Sequence, residues 1–210
     1  MTDVAQEVAP IEPGSAAEGR GAGRAGSKQR FAWGALGLCV LSASIVAAPG
    51  VEGALGGALG IVALRIAYID ARRFLVPDVL SGAAFALGLA HAAIASPEGV
   101  FDEVVAAATR GVVAAGLFLA IRVAYQLLRG REGMGLGDVK LAAAAGAWLS
   151  FSMLAVAIEL AAVAALGAYL WRQANRARTL RAADRLPFGA FFALAIWVGW
   201  IGETMLDRLS

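Results

Sequence analysis

The sequence predicts an all-α, polytopic membrane bundle, because its composition is too apolar for a soluble chain and its apolar residues occur in long blocks. Hydrophobic residues make up 60% of the 210 residues and charged residues only 16%, whereas soluble domains average about 45–50% and about 25%. Most blocks approach the ~20 residues that a helix needs to span a bilayer. The blocks are residues 31–48, 53–68, 79–94, 104–128, 141–171 and 187–201.

Residues 1–30 precede the first block and have a different composition. They are rich in Gly, Ala and Glu and show no apolar periodicity, so we expect a disordered cytoplasmic tail. Four acidic residues in this stretch are atypical of the short basic segment that begins a signal peptide, and we therefore expect no cleavage after the first block. Residues 31–206 are predicted to form one membrane-embedded domain.

The charges of the loops predict the orientation of the helices. Arginines follow the second, fourth and fifth blocks, whereas residues 49–52 and 96–103 contain acidic residues but no Lys or Arg. The positive-inside rule places the basic loops in the cytoplasm and therefore predicts a cytoplasmic N-terminus. The net charge of +2 then reflects membrane topology, and we expect a lipid bilayer rather than nucleic acid as the partner of these charges.

The fifth block is long enough for two helices. As one helix, residues 139–171 would extend about 50 Å at ~1.5 Å per residue, which exceeds the ~30 Å hydrocarbon core of a bilayer. A break near Ser150 is therefore predicted, which gives about seven transmembrane helices and a short crossing at residues 140–149. If residues 140–149 form a re-entrant helix instead, the number of crossings is six.

Cysteine and histidine are nearly missing from the sequence. The chain has one cysteine, Cys39, and one histidine, His91, so it lacks the residues for a disulfide framework or a Cys- or His-based metal site. We expect no metal and no cofactor. His91 lies in the third block, where packing or an interhelical hydrogen bond is the expected role.

Two carboxylates are the most informative polar residues. In the predicted topology Asp70 ends the second helix and Asp138 begins the fifth, so both lie at the cytoplasmic membrane face. Two carboxyl groups in one partly dehydrated cleft do not both ionise at low cost, and one keeps its proton. The ionised member can take a proton from an attacking water molecule while the protonated member polarises a carbonyl oxygen. The pair therefore predicts an aspartic peptidase dyad.

Structural roles would also account for several charged residues. An N-cap role would explain the position of Asp138 ahead of a helical run, and pairing with Arg72 or Arg73 would explain Asp70. Asp78 is predicted to be the N-cap of the third helix. Two arginines of the fourth block are expected to extend their side chains to the membrane interface: Arg110 and Arg122.

Three segments of the sequence carry a family resemblance. Gly135-Leu136-Gly137-Asp138 fits the Gly-x-Gly-Asp motif of intramembrane aspartyl proteases. The longer segment 130–141 resembles the type IV prepilin leader peptidases in particular. Residues 68–78, which end in Val-Pro-Asp, and the Leu-Pro-Phe-Gly of residues 186–189 resemble the same family, and the three segments occur in the family's order.

The resemblance implies an endopeptidase that removes the short basic leader of a prepilin or pseudopilin precursor, for type IV pilus or type II secretion machinery. The cut would follow a glycine at the cytoplasmic face of the bacterial inner membrane. The resemblance also implies that Asp70 and Asp138 are the catalytic pair. It further implies a set of residues that shape the loops around the substrate: Pro77, Asp78, Gly135, Gly137 and Lys140.

The sequence departs from the family pattern at three places. Family members that also methylate their product carry a cytoplasmic domain after the first helix, whereas only residues 49–52 separate the first two blocks here. We therefore do not expect methyltransferase activity. Ala190 stands where the family often has proline after Pro-Phe-Gly, and Arg72 replaces an acid that often follows the first aspartate.

Two other functions are compatible with an apolar chain of this kind. One is a catalytically inactive membrane assembly factor for pilus or secretion machinery. The other is a proton-coupled transporter that uses Asp70, Asp138 and Glu159 as relay groups, although transporters often contain internal repeats and none is evident here. Loss of cleavage in aspartate variants would indicate a peptidase, whereas uptake tied to a proton gradient would indicate a transporter.

Overall fold

The computed structural model describes residues 32–131, 133–175 and 186–209, and within these ranges it contains seven α-helices and no strand. The helices are α1 (Ala32–Ala47), α2 (Val51–Arg73), α3 (Asp78–Ala95), α4 (Val100–Arg129), α5 (Leu136–Trp148), α6 (Phe151–Asn175) and α7 (Phe188–Asp207). By length and composition α2, α3, α4, α6 and α7 can each cross a membrane, and α1 is a shorter apolar helix. The prediction of an all-α polytopic membrane bundle is therefore confirmed.

The chain divides into two compact units, residues 1–38 and residues 39–210. The described part of the first unit is the start of α1. The tail predicted at residues 1–30 lies outside the described residues. All contacts discussed below lie within the second unit.

The break predicted near Ser150 is confirmed, and its contacts explain it. α5 ends at Trp148 and α6 begins at Phe151. The backbone N–H of Ser150 donates to the Glu203 carboxylate of α7 at 3.1 Å, and Ser150 Oγ accepts from the backbone N–H of Met153 at 3.3 Å. Polar groups that a helix leaves unpaired at its N-terminus are thereby satisfied at this turn.

The predicted N-cap role of Asp78 is wrong, and the structure also differs from the N-cap alternative for Asp138. The residue that caps α3 is Pro77, and Asp78 is the first residue of the helix, where its carboxylate binds Lys140 of α5 instead of a backbone N–H. The residue that caps α5 is Gly135, which places Asp138 inside the first turn as the third helical residue. In both cases the aspartate lies inside the helix instead of at its N-cap, so the carboxylate is available for contacts with other helices.

The centre of the bundle is formed by α5 and α7. The short helix α5 packs against α3, α4 and α7, while α7 also contacts α2 and α6. Nearly all of α5 from Leu141 to Trp148 is buried. Neighbouring helices therefore shield this helix of only 13 residues from lipid. At ~1.5 Å per residue it is shorter than the ~30 Å hydrocarbon core.

Aromatic hydrogen bonds tie the central helices to α3. Trp200 of α7 donates through Nε1 to His91 Nε2 at 3.2 Å, and Trp148 of α5 donates through Nε1 to the Ala84 carbonyl at 2.8 Å. The His91 ring also packs on Trp148 with centroids 4.9 Å apart. The expected role of His91 in packing and interhelical hydrogen bonding is therefore confirmed.

Glycine permits a close approach between α4 and α5. A Cβ atom on Gly146 of α5 would lie 2.5 Å from the backbone oxygen of Arg110 and 2.8 Å from Cα of Gly111. Because both neighbours are backbone atoms, a side chain at position 146 would force the helices apart. This close approach sets how near α5 lies to α4.

We predict that Gly146→Ala lowers the unfolding temperature of the purified protein in detergent, since overpacking of a tight contact typically costs about 1–3 kcal/mol. Gly116→Ala is the matched control, because Gly116 lies on α4 with open space around it. Thermal unfolding of both variants beside the wild type measures the difference. Equal unfolding temperatures for the two variants would contradict the close approach.

Candidate active site

The structure places Asp70 and Asp138 beside the start of α7. Asp70 lies in the last turn of α2 and is only 5% exposed, and its Oδ2 accepts a hydrogen bond from the backbone N–H of Ala190 at 2.8 Å. Asp138 lies in the first turn of α5. The two predicted carboxylates are therefore held by different helices and meet at a third.

The contacts of Gly189 set an upper limit on the distance between the two carboxyl groups. A Cβ atom on Gly189 would lie 3.1 Å from Asp70 Oδ2 and 3.3 Å from Asp138 Oδ1, so these two oxygens are at most 6.4 Å apart. A small polar group, such as a water molecule or a peptide carbonyl, can contact both carboxyl groups across this distance. The geometry thus fits two carboxyl groups that act on one reacting group.

Arg72 and Arg73, on the same helix as Asp70, do not bind its carboxylate in the described part of the chain. The Arg72 guanidinium lies over the Tyr68 ring, 4.4 Å from its centroid, while Asp70 is bound to the backbone of α7. Ion pairing on its own helix was the structural alternative for Asp70. The contact with Ala190 instead directs the carboxylate into the bundle, toward Asp138.

Val76 closes the site from the side of the α2–α3 connection. The chain leaves α2 through Phe74, which has a left-handed backbone conformation with φ of 52° and an N–H bonded to the Asp70 carbonyl at 2.9 Å. A Cβ on Gly137 would lie 2.8 Å from Val76 Cβ, and one on Gly189 would lie 2.9 Å from Val76 Cγ2. Val76 thus packs against both glycines.

The charge state of Asp138 is set by its surroundings. Asp138 precedes the predicted 140–149 crossing and is not in any of the five long apolar helices. Burial of its carboxyl group, reinforced by the neighbouring Asp70 carboxyl, raises the pKa of Asp138 from 3.8 to about 6, although a backbone hydrogen bond with Gly135 acts in the opposite direction. The neutral form of Asp138 is therefore favoured relative to an exposed aspartate.

The remaining predicted loop residues lie around this pair, but in different roles. Lys140 and Asp78 form an ion pair at 2.5 Å that joins the first turns of α5 and α3, and both side chains are exposed. Pro77 caps α3. Gly135 has an extended backbone with φ of −73° and open space for a Cβ atom, unlike Gly137, whose position is crowded by Val76.

Three residues of the site were not predicted as site residues from the sequence: Val76, Gly189 and Ala190. Gly189 lies within the Leu-Pro-Phe-Gly segment that contributed to the family resemblance, and this was the available signal. Val76 likewise lies within the 68–78 segment of the resemblance, whereas nothing in the sequence marks the backbone N–H of Ala190. In the described part of the chain, no three His, Cys, Asp or Glu side chains come together as a metal site would require.

We predict that Asp138→Asn makes the protein more stable than the wild type near pH 8, with the difference disappearing toward pH 4. Because the folded pKa of about 6 exceeds the ordinary 3.8, the native state binds a proton that the unfolded state has lost, so wild-type stability falls as pH rises between these values. The asparagine variant does not titrate and therefore avoids this loss of stability, which is about 3 kcal/mol at most. Unfolding temperatures in detergent across this pH range measure the difference, and a difference independent of pH would contradict the shifted pKa.

We predict that Gly137→Ala and Gly189→Ala each lower the unfolding temperature, because the added methyl group would overlap Val76 and overpacking typically costs about 1–3 kcal/mol. Gly135→Ala is the control and should leave the unfolding temperature close to that of the wild type, since its Cβ would meet nothing nearer than 3.7 Å. A Gly135→Ala variant as unstable as the other two would show that the packing around Val76 is not the cause.

Comparisons with known proteins agree with one another. The family model described as the type IV leader peptidase family matches residues 57–170. The chain is 38% identical over 156 residues to a prepilin leader peptidase/N-methyltransferase of Burkholderia pseudomallei, covering 73% of this chain and 48% of that protein. A Pseudomonas aeruginosa protein of the same name is 32% identical over 148 residues, covering 69% of this chain and 48% of the relative.

A shorter relative is covered more fully. The leader peptidase HopD of Escherichia coli is 35% identical over 133 residues, which is 62% of this chain and 82% of that protein. The chain spans about half the length of the prepilin leader peptidase/N-methyltransferases that it matches. No solved structure matches the chain significantly. The family match covers more than half of the chain and includes Asp70 and Asp138, so the chain belongs to the type IV leader peptidase family.

Proposed function

We propose that this chain is an aspartic endopeptidase that removes the leader from prepilin-like precursors, with Asp70 and Asp138 as its catalytic pair. The observation that carries the proposal is the meeting of the two carboxyl groups beside Gly189, at most 6.4 Å apart and on separate helices. Membership of the leader peptidase family supports the reaction class.

The contacts of the two aspartates are the basis on which we propose different roles for them. Asp70 accepts the Ala190 N–H in the first turn of α7, and the positive end of a helix dipole favours a negative charge there. Asp138 has its pKa raised to about 6, which favours the protonated form. We therefore assign Asp70 as the general base and Asp138 as the general acid of the first step.

The chemistry follows from that assignment. A water molecule attacks the peptide carbonyl carbon while Asp70 takes one water proton and Asp138 donates its proton to the carbonyl oxygen, which gives a neutral tetrahedral diol. In the second step Asp138 takes back a proton from the diol, Asp70 donates its proton to the leaving nitrogen, and the C–N bond breaks. Both aspartates return to their starting states, and no metal or cofactor takes part in these steps.

The location of the pair suits a substrate that enters from the cytoplasmic membrane face. Asp70 lies in the same last turn of α2 as two arginines, and α4 also ends in an arginine, so the positive-inside rule supports a cytoplasmic position. Exposed apolar side chains next to the pair, including Phe74, Leu75 and Leu136, offer contacts for the apolar residues of a substrate. We propose a multi-pass protein of the bacterial inner membrane that cuts after a glycine.

The transporter alternative is less consistent with the structure. Glu159 is exposed on α6, whereas Asp70 is buried beside α7. A proton relay needs groups that connect through hydrogen bonds or water. However, α2 and α6 both pack against α7 and have no substantial contact with each other. The paired carboxyl groups favour the peptidase over both a transporter and an inactive assembly factor.

We predict that Asp70→Asn and Asp138→Asn each reduce cleavage of a co-expressed, tagged prepilin by about 10³-fold or more, since each removes a proton-transfer group. Asp78→Asn is the matched control, because Asp78 is 76% exposed and asparagine can still accept a hydrogen bond from Lys140. The control should retain activity within about threefold. A mobility shift, followed by sequencing of the product N-terminus, measures cleavage and locates the cut site.

Two results would contradict the proposal. Absence of cleavage of several prepilin-like substrates by correctly inserted wild type would favour the inactive assembly factor. Loss of activity in Asp78→Asn equal to that of the other two variants would show that the assignment of roles among the three aspartates is wrong.

A further inference from the structure

We infer that Arg122 is a positioning residue, which holds the glycine loop (residues 133–135) and thereby sets the position of Asp138. The inference rests on the proposed function, because it assigns Arg122 a part in catalysis through Asp138. Arg122 does not itself lie among the residues that meet at Gly189. It acts through the backbone of the loop.

The contact that supports this role is a hydrogen bond from a charged side chain to a loop carbonyl. Arg122 Nη1 donates to the Met134 carbonyl at 2.5 Å. One turn further along α4, the Tyr125 ring packs on the same loop, since a Cβ on Gly133 would lie 2.4 Å from Tyr125 Cδ1. Hydrogen bonds to charged groups contribute more to stability than neutral ones. α4 therefore holds the loop through both a polar and an apolar contact.

The Met134 side chain also packs against the hydrophobic core, whereas the glycines on either side of it contribute no side chain. Gly133 and Gly135 are both exposed, and a Cβ on Gly135 would meet only Asp138 and Gly137 within 4 Å. The loop nevertheless determines where α5 begins, because Gly135 is the N-cap and its carbonyl accepts the Asp138 N–H at 3.3 Å. A shift of Met134 is therefore transmitted directly to the first turn of α5 and to the Asp138 carboxyl group.

A second arginine of α4 makes the equivalent contact at the other end of α5. Arg110 Nε donates to the Gly146 carbonyl at 3.3 Å. Between the two contacts the residue number rises by 12 on α4 and falls by 12 on the partner segment, as expected for antiparallel neighbours. Both arginines hold the partner segment through a carbonyl, but only the contact of Arg122 lies next to the aspartate.

The test compares Arg122→Met with Arg122→Lys and with the matched control Arg110→Met, each purified as the full chain in detergent. We expect Arg122→Met to lower kcat by about 10- to 100-fold with KM within about twofold, because a catalytic group displaced by ~1 Å costs up to ~10² in rate. Arg122→Lys keeps a charged donor and should recover most of this loss. Arg110→Met should keep the wild-type kcat, even where its unfolding temperature is lower.

Amide hydrogen exchange provides a measurement that does not depend on activity. Arg122→Met should speed exchange at residues 134–138 relative to the wild type, whereas Arg110→Met should not. The inference is overturned if Arg122→Met leaves both kcat and this exchange unchanged, or if Arg110→Met lowers kcat equally. If the wild type cleaves no prepilin while exchange at residues 134–138 still responds to Arg122→Met, the proposed function fails but the loop contact stands.

Discussion

The hydrogen bond from the Ala190 N–H to the Asp70 carboxylate is the contact on which the candidate site depends. It joins the C-terminal end of α2 to the first turn of α7, and so brings a carboxylate to a helix N-terminus, where unpaired N–H groups and the helix dipole favour it. Gly189 is then directed at both aspartates. Without this contact, a buried carboxylate at the end of α2 would face the unfavourable end of its own helix.

A comparable contact occurs at the opposite end of α7. Glu203 accepts the Ser150 N–H just before α6 begins, so acidic side chains satisfy backbone donors at the starts of two helices, α7 and α6. Backbone groups in a membrane protein have few water molecules to bind, which makes such contacts between helices important. Together these two contacts fix how far α7 is shifted along its axis relative to α2 and α6.

Packing keeps the two carboxyl groups together against their mutual repulsion. The small residues of α5 let it approach α4 closely at Gly146, and Val76 packs on the glycines at positions 137 and 189. The raised pKa of Asp138 is the electrostatic result of this enforced proximity and burial. The same features that cost stability therefore produce a carboxyl group that can hold a proton near neutral pH, which is the property that general acid catalysis requires.

The sequence by itself determined the fold class, the break near Ser150 and the two aspartates as the residues of interest, because hydropathy blocks, helix length and the Gly-x-Gly-Asp motif are local properties of the chain. It did not determine the cap positions of Asp78 and Asp138, since the ion pair with Lys140 and the start of α5 at Gly135 depend on neighbouring helices. Only the tertiary structure revealed Val76, Gly189, the Ala190 N–H and the Arg122 contact. The physical reason is that these roles depend on shape or on contacts with backbone groups, which every residue type shares, so that only the packing of distant segments creates them.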